Sequence, residues 1–314
     1  MAKRNIVSVS GGKDSTATVL LAQALEAENL ELVFADTGHE HPLVYDYLVY
    51  LSDAVGLPIQ TVKADFSFQI ERKRRKLESG DLPGWTDAAR DRALAVLKPT
   101  GNPFLDLCMW KGRFPSAKAR FCTDFLKRDP IIEQVFLPAL DAGDVVWSWQ
   151  GIRRDESPAR RYAPEFEEVG GGLFNYRPIA RWSAESVFEA HRFMGIEPNP
   201  LYKMGMSRVG CMPCVNCNKD ELQNIALRMP EEVGRVMEWE RLVSDAARRA
   251  SATFFPVVTD PMISPDVDVS YERHGIGRMV EWSKTSRGGR QFDLLAASAD
   301  PAACSSSYGL CDAG

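Results

Sequence analysis

Short apolar runs alternate along the chain with longer amphipathic stretches. Over the first seventy residues the order is Ile6-Val7-Ser8-Val9, then 15–28, then Leu32-Val33-Phe34-Ala35, then 43–55, then 59–62. Runs this short and apolar predict strands buried on both faces, and the stretches between them predict helices packed against those faces. The resulting βαβαβ order predicts an α/β fold with a parallel, doubly wound sheet, whose ligands bind outside the carboxyl ends of the strands.

Between 66 and 120 this rhythm breaks. The stretch holds the charge run Glu71-Arg72-Lys73-Arg74-Arg75-Lys76, a Pro83-Gly84 turn and Pro99-Thr100-Gly101-Asn102-Pro103, and it is expected to be an insertion or lid. The charge run reads as a solvated helix face, with a nucleic-acid contact as its alternative. The α/β pattern resumes with a helix over 124–137, the strand Val145-Val146-Trp147-Ser148-Trp149 and a helix over 184–193 starting on a Ser183 cap. The expected division is a nucleotide-binding α/β domain over 1–205 and a cysteine-rich, helical and irregular region over 206–314, with a helical stretch near 220–250.

Composition narrows the class. Hydrophobic residues are 45% and charged residues 26%, which is ordinary for a globular protein. A formal net charge of −5 excludes coating of nucleic acid by global attraction and leaves only a local basic strip for such a partner. No apolar run approaches the roughly 20 residues needed to span a bilayer, and Met1-Ala2-Lys3-Arg4 leads into a strand rather than a signal core. A cytoplasmic protein with no membrane partner is therefore expected. Its seven cysteines, at 108, 122, 211, 214, 217, 304 and 311, point to metal or redox chemistry, because disulfides are uncommon in the cytosol.

Three features carry candidate chemistry. Ser10-Gly11-Gly12-Lys13-Asp14-Ser15 falls where the first strand passes into the first helix, where free backbone N–H groups and the helix dipole favour an anion. Glycines let the backbone close around phosphate or sulfate, Lys13 adds charge, and Ser10 and Ser15 add hydroxyls; the spacing is not that of a Walker A loop. Asp36-Thr37-Gly38-His39-Glu40 closes the second strand at the same sheet edge, while Lys127, Arg153 and Arg160 are donors suited to a nucleotide's oxyanions. Cys211-Met212-Pro213-Cys214-Val215-Asn216-Cys217 holds two overlapping C-x-x-C pairs, a spacing that suits zinc or an iron–sulfur cluster.

The chain resembles the phosphoadenosine phosphosulfate and adenylyl sulfate reductase family of the PP-loop ATP pyrophosphatase superfamily. The resemblance rests on the Ser10–Ser15 loop, on Arg120-Phe121-Cys122-Thr123 with Leu126-Lys127, on Gly151-Ile152-Arg153-Arg154-Asp155-Glu156-Ser157 with Arg160, and on Tyr176-Arg177-Pro178-Ile179 followed by Trp182-Ser183. These stand in the family's order and span 5 to about 220. It implies an adenine nucleotide alpha hydrolase-like fold and binding of ATP or an adenylyl sulfate by Ser10, Gly11, Gly12, Lys13, Asp14, Ser15, Asp36, Thr37, Glu40, Lys127, Arg153 and Arg160.

The resemblance further implies a 4Fe–4S cluster on Cys122, Cys211 and Cys214. Phe121 stands where the family has a tandem cysteine, so the fourth ligand falls to Cys217, with Cys304, Cys311 and Cys108 as alternatives. The family's Glu-Cys-Gly-Leu/Ile-His tail, whose cysteine attacks sulfur, is missing. Cys304 and Cys311 are the candidate catalytic thiols in its place, with Lys13 beside the reacting group. The expected function is phosphoadenosine phosphosulfate reductase-like sulfur chemistry. The alternatives are an ATP- and magnesium-dependent sulfurtransferase acting on DNA, as in phosphorothioation, or on tRNA, and a non-catalytic nucleotide or redox sensor. A thiol or sulfur donor protein is the implied partner.

Overall fold

The computed structural model describes residues 1–256 and 270–285. Among them β1 (Lys3–Val9), β2 (Leu30–Asp36), β3 (Ile59–Lys63), β4 (Val145–Trp149), β5 (Phe166–Gly170) and β6 (Leu173–Tyr176) form one sheet in the order β3-β2-β1-β4-β6-β5. Every pairing is parallel except the β5/β6 hairpin at one edge. The chain runs outward from β1 to β2 and β3, then returns to place β4 on β1's other side. That reversal makes the gap between β1 and β4 the topological switch point, where such folds open a crevice. The fold is the expected α/β sheet.

The apolar runs explain the sheet. Ile6, Val7 and Val9 of β1 and Leu32, Val33, Phe34 and Ala35 of β2 are all buried. Ile6, Val33, Ala35, Val62 and Val146 pack with Ile131, Val135, Phe136 and Ala139 of the helical stretch 126–141. In that stretch the π-helical turns Ile132–Phe136 precede Pro138; a proline ring crowds the carbonyl four residues back, and a wider turn relieves the clash. Leu20, Tyr47, Leu51 and Ile196 form a second cluster, and Ala17, Ile179 and Val187 a third. Ser183 caps the helix Ala184–Phe193 by accepting from Ser186 N–H at 3.1 Å.

The described chain falls into two compact units: residues 1–63 and 126–211, which carry the sheet, and 64–125 with the described residues from 212 onward. The second unit is helical. The stretch 66–120, irregular in rhythm, contains helices Ser67–Glu78, Asp87–Val96 and Pro103–Lys111. Its Pro99–Pro103 segment is an ordered turn built on buried Asp106, which accepts from Thr100 N–H, Thr100 Oγ1 and Gly101 N–H at 2.9, 2.7 and 3.2 Å. The helical stretch expected near 220–250 is two helices, Lys219–Arg228 and Pro230–Asp245, because Pro230 cannot donate the N–H that would continue the first. Among the described residues no helix is long and apolar enough to cross a membrane.

Phe104 anchors the core of this unit, with its ring 5.5 Å from Trp239 and 6.3 Å from Phe254. Two charged groups are built into it. Lys73, from the charge run, donates to the carbonyls of Met109, Trp110 and Ala246 at 2.9, 3.2 and 3.0 Å. It thereby satisfies the ends of two helices, whose last carbonyls have no partner within the helix. Glu240, 1% exposed, accepts from Phe254 N–H at 2.7 Å and Ile276 N–H at 2.9 Å. A side chain at Gly275 would collide with its carboxylate.

Burial pushes the Glu240 carboxyl up to about 7, against the pull of those two N–H groups. The folded state thus keeps a proton that the unfolded chain releases above the ordinary value near 4.5. Stability is expected to fall as pH rises from about 4.5 to about 7 and then to level off, by on the order of 3 kcal/mol. Thermal unfolding across this range checks it, and a Glu240→Gln variant should lack that slope.

Candidate functional site

At the switch point β1 ends in Val9, and the chain turns through Ser10, Gly11 and Gly12 into the helix Lys13–Ala24. Gly11 has φ +71°, and a Cβ there would stand 2.9 Å from Val44 Cγ1, so the turn needs glycine for both conformation and space. Gly12 has no side chain to cap the helix, and the carboxylate of the first turn, Asp14, is paired with Lys13 and Arg153, so the positive end of the dipole is turned to the crevice. Ser15 ties the loop together, accepting from Ser10 N–H at 3.1 Å and donating to Gly12 O at 2.9 Å. Lys13 N–H donates to Tyr202 Oη at 2.9 Å, and His191 Nε2 lies 3.0 Å from the Lys13 carbonyl. Burial lowers the pKa of His191, whose other ring nitrogen, Nδ1, lies 3.3 Å from the Ile196 carbonyl.

The loop after β4 locks onto this turn. Arg153, 4% exposed, bridges Asp14 Oδ1 through Nε and Asp155 through Nη1, while Lys13 Nζ donates to Asp14 Oδ2 at 2.7 Å. Burial works against the guanidinium's charge, but the two carboxylates more than offset it and keep Arg153 protonated. Gly151 packs on the helix start so closely that a Cβ would lie 2.9 Å from the Asp14 carbonyl carbon and from Ser15 N. Glu156 accepts from Arg153 N–H at 3.1 Å and pairs with Arg160 at the surface. Lys127 is half-buried on the π-helical turns Asp124–Arg128.

The turn after β2 is equally organised. Asp36 accepts from Gly38 N–H and Tyr45 Oη, each at 2.8 Å, and pairs with Lys63 at 2.6 Å. Burial alone would raise its pKa, yet Lys63, Tyr45 and Gly38 together hold it below the usual carboxylate range. Thr37 Oγ1 donates to both oxygens of buried Glu40 at 2.8 Å. Cys211 joins this group, with Sγ 3.6 Å from Glu40 Oε1 and 3.5 Å from Thr37 Oγ1, and its backbone forms an antiparallel bridge with Glu40. Two residues earlier, the Val209 carbonyl stands 3.5 Å from where a Gly12 Cβ would be. The segment 199–211 therefore brings the first cysteine of the C-x-x-C pair to the loop's crevice.

The remaining predicted ligands are distributed. Cys217 N–H donates to Cys214 O at 2.8 Å, closing their turn, and Cys217 Sγ lies 3.3 Å from the Asn218 carbonyl. Cys122 is half-buried in the helical turn Phe121–Thr123. Cys108 is wholly buried; desolvation, and secondarily Cys122, raise its thiol pKa. Among the described residues no three His, Cys, Asp or Glu side chains are gathered so as to hold a metal ion. The thiol chemistry suits an iron–sulfur cluster, but this arrangement does not assemble one. Cys304 and Cys311 lie outside the described residues.

Sequence reasoning missed Tyr202, His191, Tyr45 and Gly151 as supports of the loop. Asn199, fully buried and accepting from Leu201 N–H at 3.0 Å, starts the turn that aims Tyr202. An Asn-Pro start two residues before a tyrosine was the available signal for it.

Comparison with known proteins gives a consistent family assignment. The phosphoadenosine phosphosulfate reductase domain matches residues 4–217. A 37.8 kDa protein of Escherichia phage 186 is 49% identical over 98% of this chain and 96% of its own. The adenosine 5'-phosphosulfate reductase of Neisseria meningitidis serogroup A is 33% identical over 33% of this chain and 42% of its own. Among solved structures, phosphoadenylyl-sulfate reductase from Candida auris is 16% identical with a TM-score of 0.41, covering 66% of this chain and 81% of that one.

Gly151→Ala is expected to lose about 1–3 kcal/mol of stability, because the methyl must displace backbone rather than a side chain. Gly234→Ala, in the helix Pro230–Asp245 with nothing within 4 Å of the new methyl, is expected to gain about 0.5 kcal/mol. Denaturant unfolding of both variants checks the contrast.

Proposed function

Because the chain belongs to the phosphoadenosine phosphosulfate reductase family, we propose that it binds an adenine nucleotide on the Ser10–Ser15 loop and performs reductase-like, thiol-dependent sulfur chemistry on it. The observation that carries this reading is the glycine-started helix N-terminus at the switch point, with the Cys211 thiol held beside Glu40 and Thr37 at the same sheet edge. In this reading Ser10, Gly11, Gly12, Lys13 and Ser15 hold the phosphate or sulfate. Asp14 and Arg153 act as positioning residues that hold the loop in shape. Asp36, Thr37 and Glu40 offer acceptors to the nucleoside's hydroxyl and amino groups, and Lys127 and Arg160 complete the anion's surroundings.

With an adenylyl sulfate, a thiolate attacks the sulfur and the bond from sulfur to the bridging oxygen breaks. The nucleotide leaves with the electron pair, and the thiol is left as a thiosulfonate. A second thiol then displaces sulfite and forms a disulfide, which a thiol donor protein reduces again. Cys304 and Cys311 are the thiols proposed for these steps, and Cys211 joins them only where it holds no cluster. Such chemistry needs reduced thiols, which suits the cytoplasm. A 4Fe–4S cluster on Cys122, Cys211, Cys214 and Cys217 is a separate expectation, and no step above passes through it.

A second reading is favoured by the Cys211 thiol held beside Glu40 at the sheet edge. Here an acceptor oxygen on DNA or tRNA would attack the α-phosphate of ATP and release pyrophosphate, and a sulfur donor would then displace AMP; magnesium, held by the nucleotide's phosphates, would supply charge neutralisation.

Protein purified without oxygen and given adenylyl sulfates and a thiol donor is expected to release sulfite together with AMP or its 3'-phosphate, and Cys211→Ser to lose at least tenfold in rate. Pyrophosphate and AMP from ATP, in place of sulfite, would transfer the assignment to the second reading. Nucleotide binding without product would leave a sensor. Iron and sulfide analysis of the same preparation and of Cys217→Ser tests the cluster.

A further inference from the structure

The second unit contains a cavity of about 580 Å³ whose wall, among the described residues, holds two tryptophans, Trp85 and Trp110, five cations and no carboxylate. In a chain of net charge −5 this is a local inversion of sign. Part of that charge has a structural use. The cavity floor lies where the helices Pro103–Lys111 and Pro230–Asp245 end, and helix ends present unpaired, partly negative carbonyls. Lys73 takes the carbonyls of Met109, Trp110 and Ala246, and Arg92 takes that of Ala247 at 3.0 Å. With those carbonyls satisfied, Lys111, Arg113, Arg248 and Arg249 are not needed to cap the helices.

These four cations point to a ligand. Arg113, Arg248 and Arg249 are exposed, and none of the four pairs with a carboxylate among the described residues. The nearest acidic positions in sequence, Asp106 and Asp245, are taken by Thr100 with Gly101 and by Arg241. Lys111 Nζ lies over the Trp110 ring, 3.8 Å from its centroid, so the cation covers that face and Trp85 is the aromatic surface left in the wall for a ligand. Trp110 is held from behind by Phe66, stacked at 5.8 Å, and by Phe125 at 5.7 Å edge-on. A rigid aromatic surface beside clustered cations matches one ligand chemistry best: an unpaired base joined to backbone phosphates. A simple anion has no use for the tryptophans. A duplex keeps its bases inside the stack, away from a concave wall.

We propose that this cavity binds single-stranded nucleic acid, with a base against Trp85 and adjoining phosphates on Lys111, Arg113, Arg248 and Arg249. The site lies within the second unit and does not rest on the chemistry assigned to the loop.

The test is fluorescence anisotropy of the full chain with a labelled single-stranded 15-mer, as DNA and as RNA, across a salt series. Binding is expected with a log–log salt slope of about −3, as four phosphate contacts on a single strand give. Arg248→Glu/Arg249→Glu should weaken it at least tenfold and flatten the slope by about 1.4. Trp85→Leu should weaken it by roughly tenfold with the slope unchanged. Thermal unfolding verifies each variant, and Arg113→Glu serves as the charge variant should the double one fail to fold. The proposal is overturned by no binding at low salt, by variants that bind like the parent, by a duplex binding as tightly, or by inorganic phosphate or polyglutamate competing as well, charge for charge.

Discussion

The bridge from Asp14 to Arg153 is the contact on which the loop's geometry depends. It joins the turn after β1 to the loop after β4, across the gap where the strand order reverses. Both side chains are largely buried, at 14% and 5% exposure. Losing either partner would leave the other with a single counter-charge, Lys13 for Asp14 or Asp155 for Arg153, and a hydrogen-bonding group unsatisfied, at a cost of about 1–3 kcal/mol. Gly151 permits the contact by letting backbone meet backbone. The acidic residue inside an anion-binding motif is thus explained: Asp14 faces its neighbours' cations and sets the shape of the turn.

That contact also changes how the loop attracts an anion. Lys13 is paired with Asp14, and Arg153 is shared between two carboxylates. Their charges are largely spent before a ligand arrives. The attraction then comes mainly from backbone N–H groups and the helix dipole at a Gly12 start that no side chain caps. Peptide dipoles of this kind are fixed in direction and need no reorganisation when an oxyanion enters. The turn after β2 follows the same logic, since Thr37, Tyr45, Gly38 and Lys63 fix the carboxylates of Asp36 and Glu40 through the protein's own contacts.

The sheet and the loop were legible in the sequence because both are local signals. Four-residue apolar runs have few ways to be buried, and Ser-Gly-Gly at the end of a strand leaves little but a tight turn. What resisted reading was polar and distant. Lys73 sits in a run of six charged residues and reads as solvated, yet three carbonyls from two helices enclose it. Glu240 reads as one more surface charge on an amphipathic helix, but it organises backbone at 254 and 276. Tyr202 meets the loop across 189 residues. Pattern rules assign charged residues to water because most belong there, so the buried exceptions surface only once distant segments are assembled.

Net charge misleads for the same reason. A total of −5 averages over the chain, whereas binding depends on which charges remain after internal pairing. Around the loop, cations and carboxylates are matched nearly one to one. In the second unit Lys73 and Arg92 neutralise helix ends, and the arginines at 248 and 249 remain beside two tryptophans. An anionic ligand senses that remainder within a Debye length of about 8–10 Å at ordinary salt. A mildly acidic protein can therefore offer a strongly basic cavity, and the sign of its partner is set by the local excess rather than by the sum.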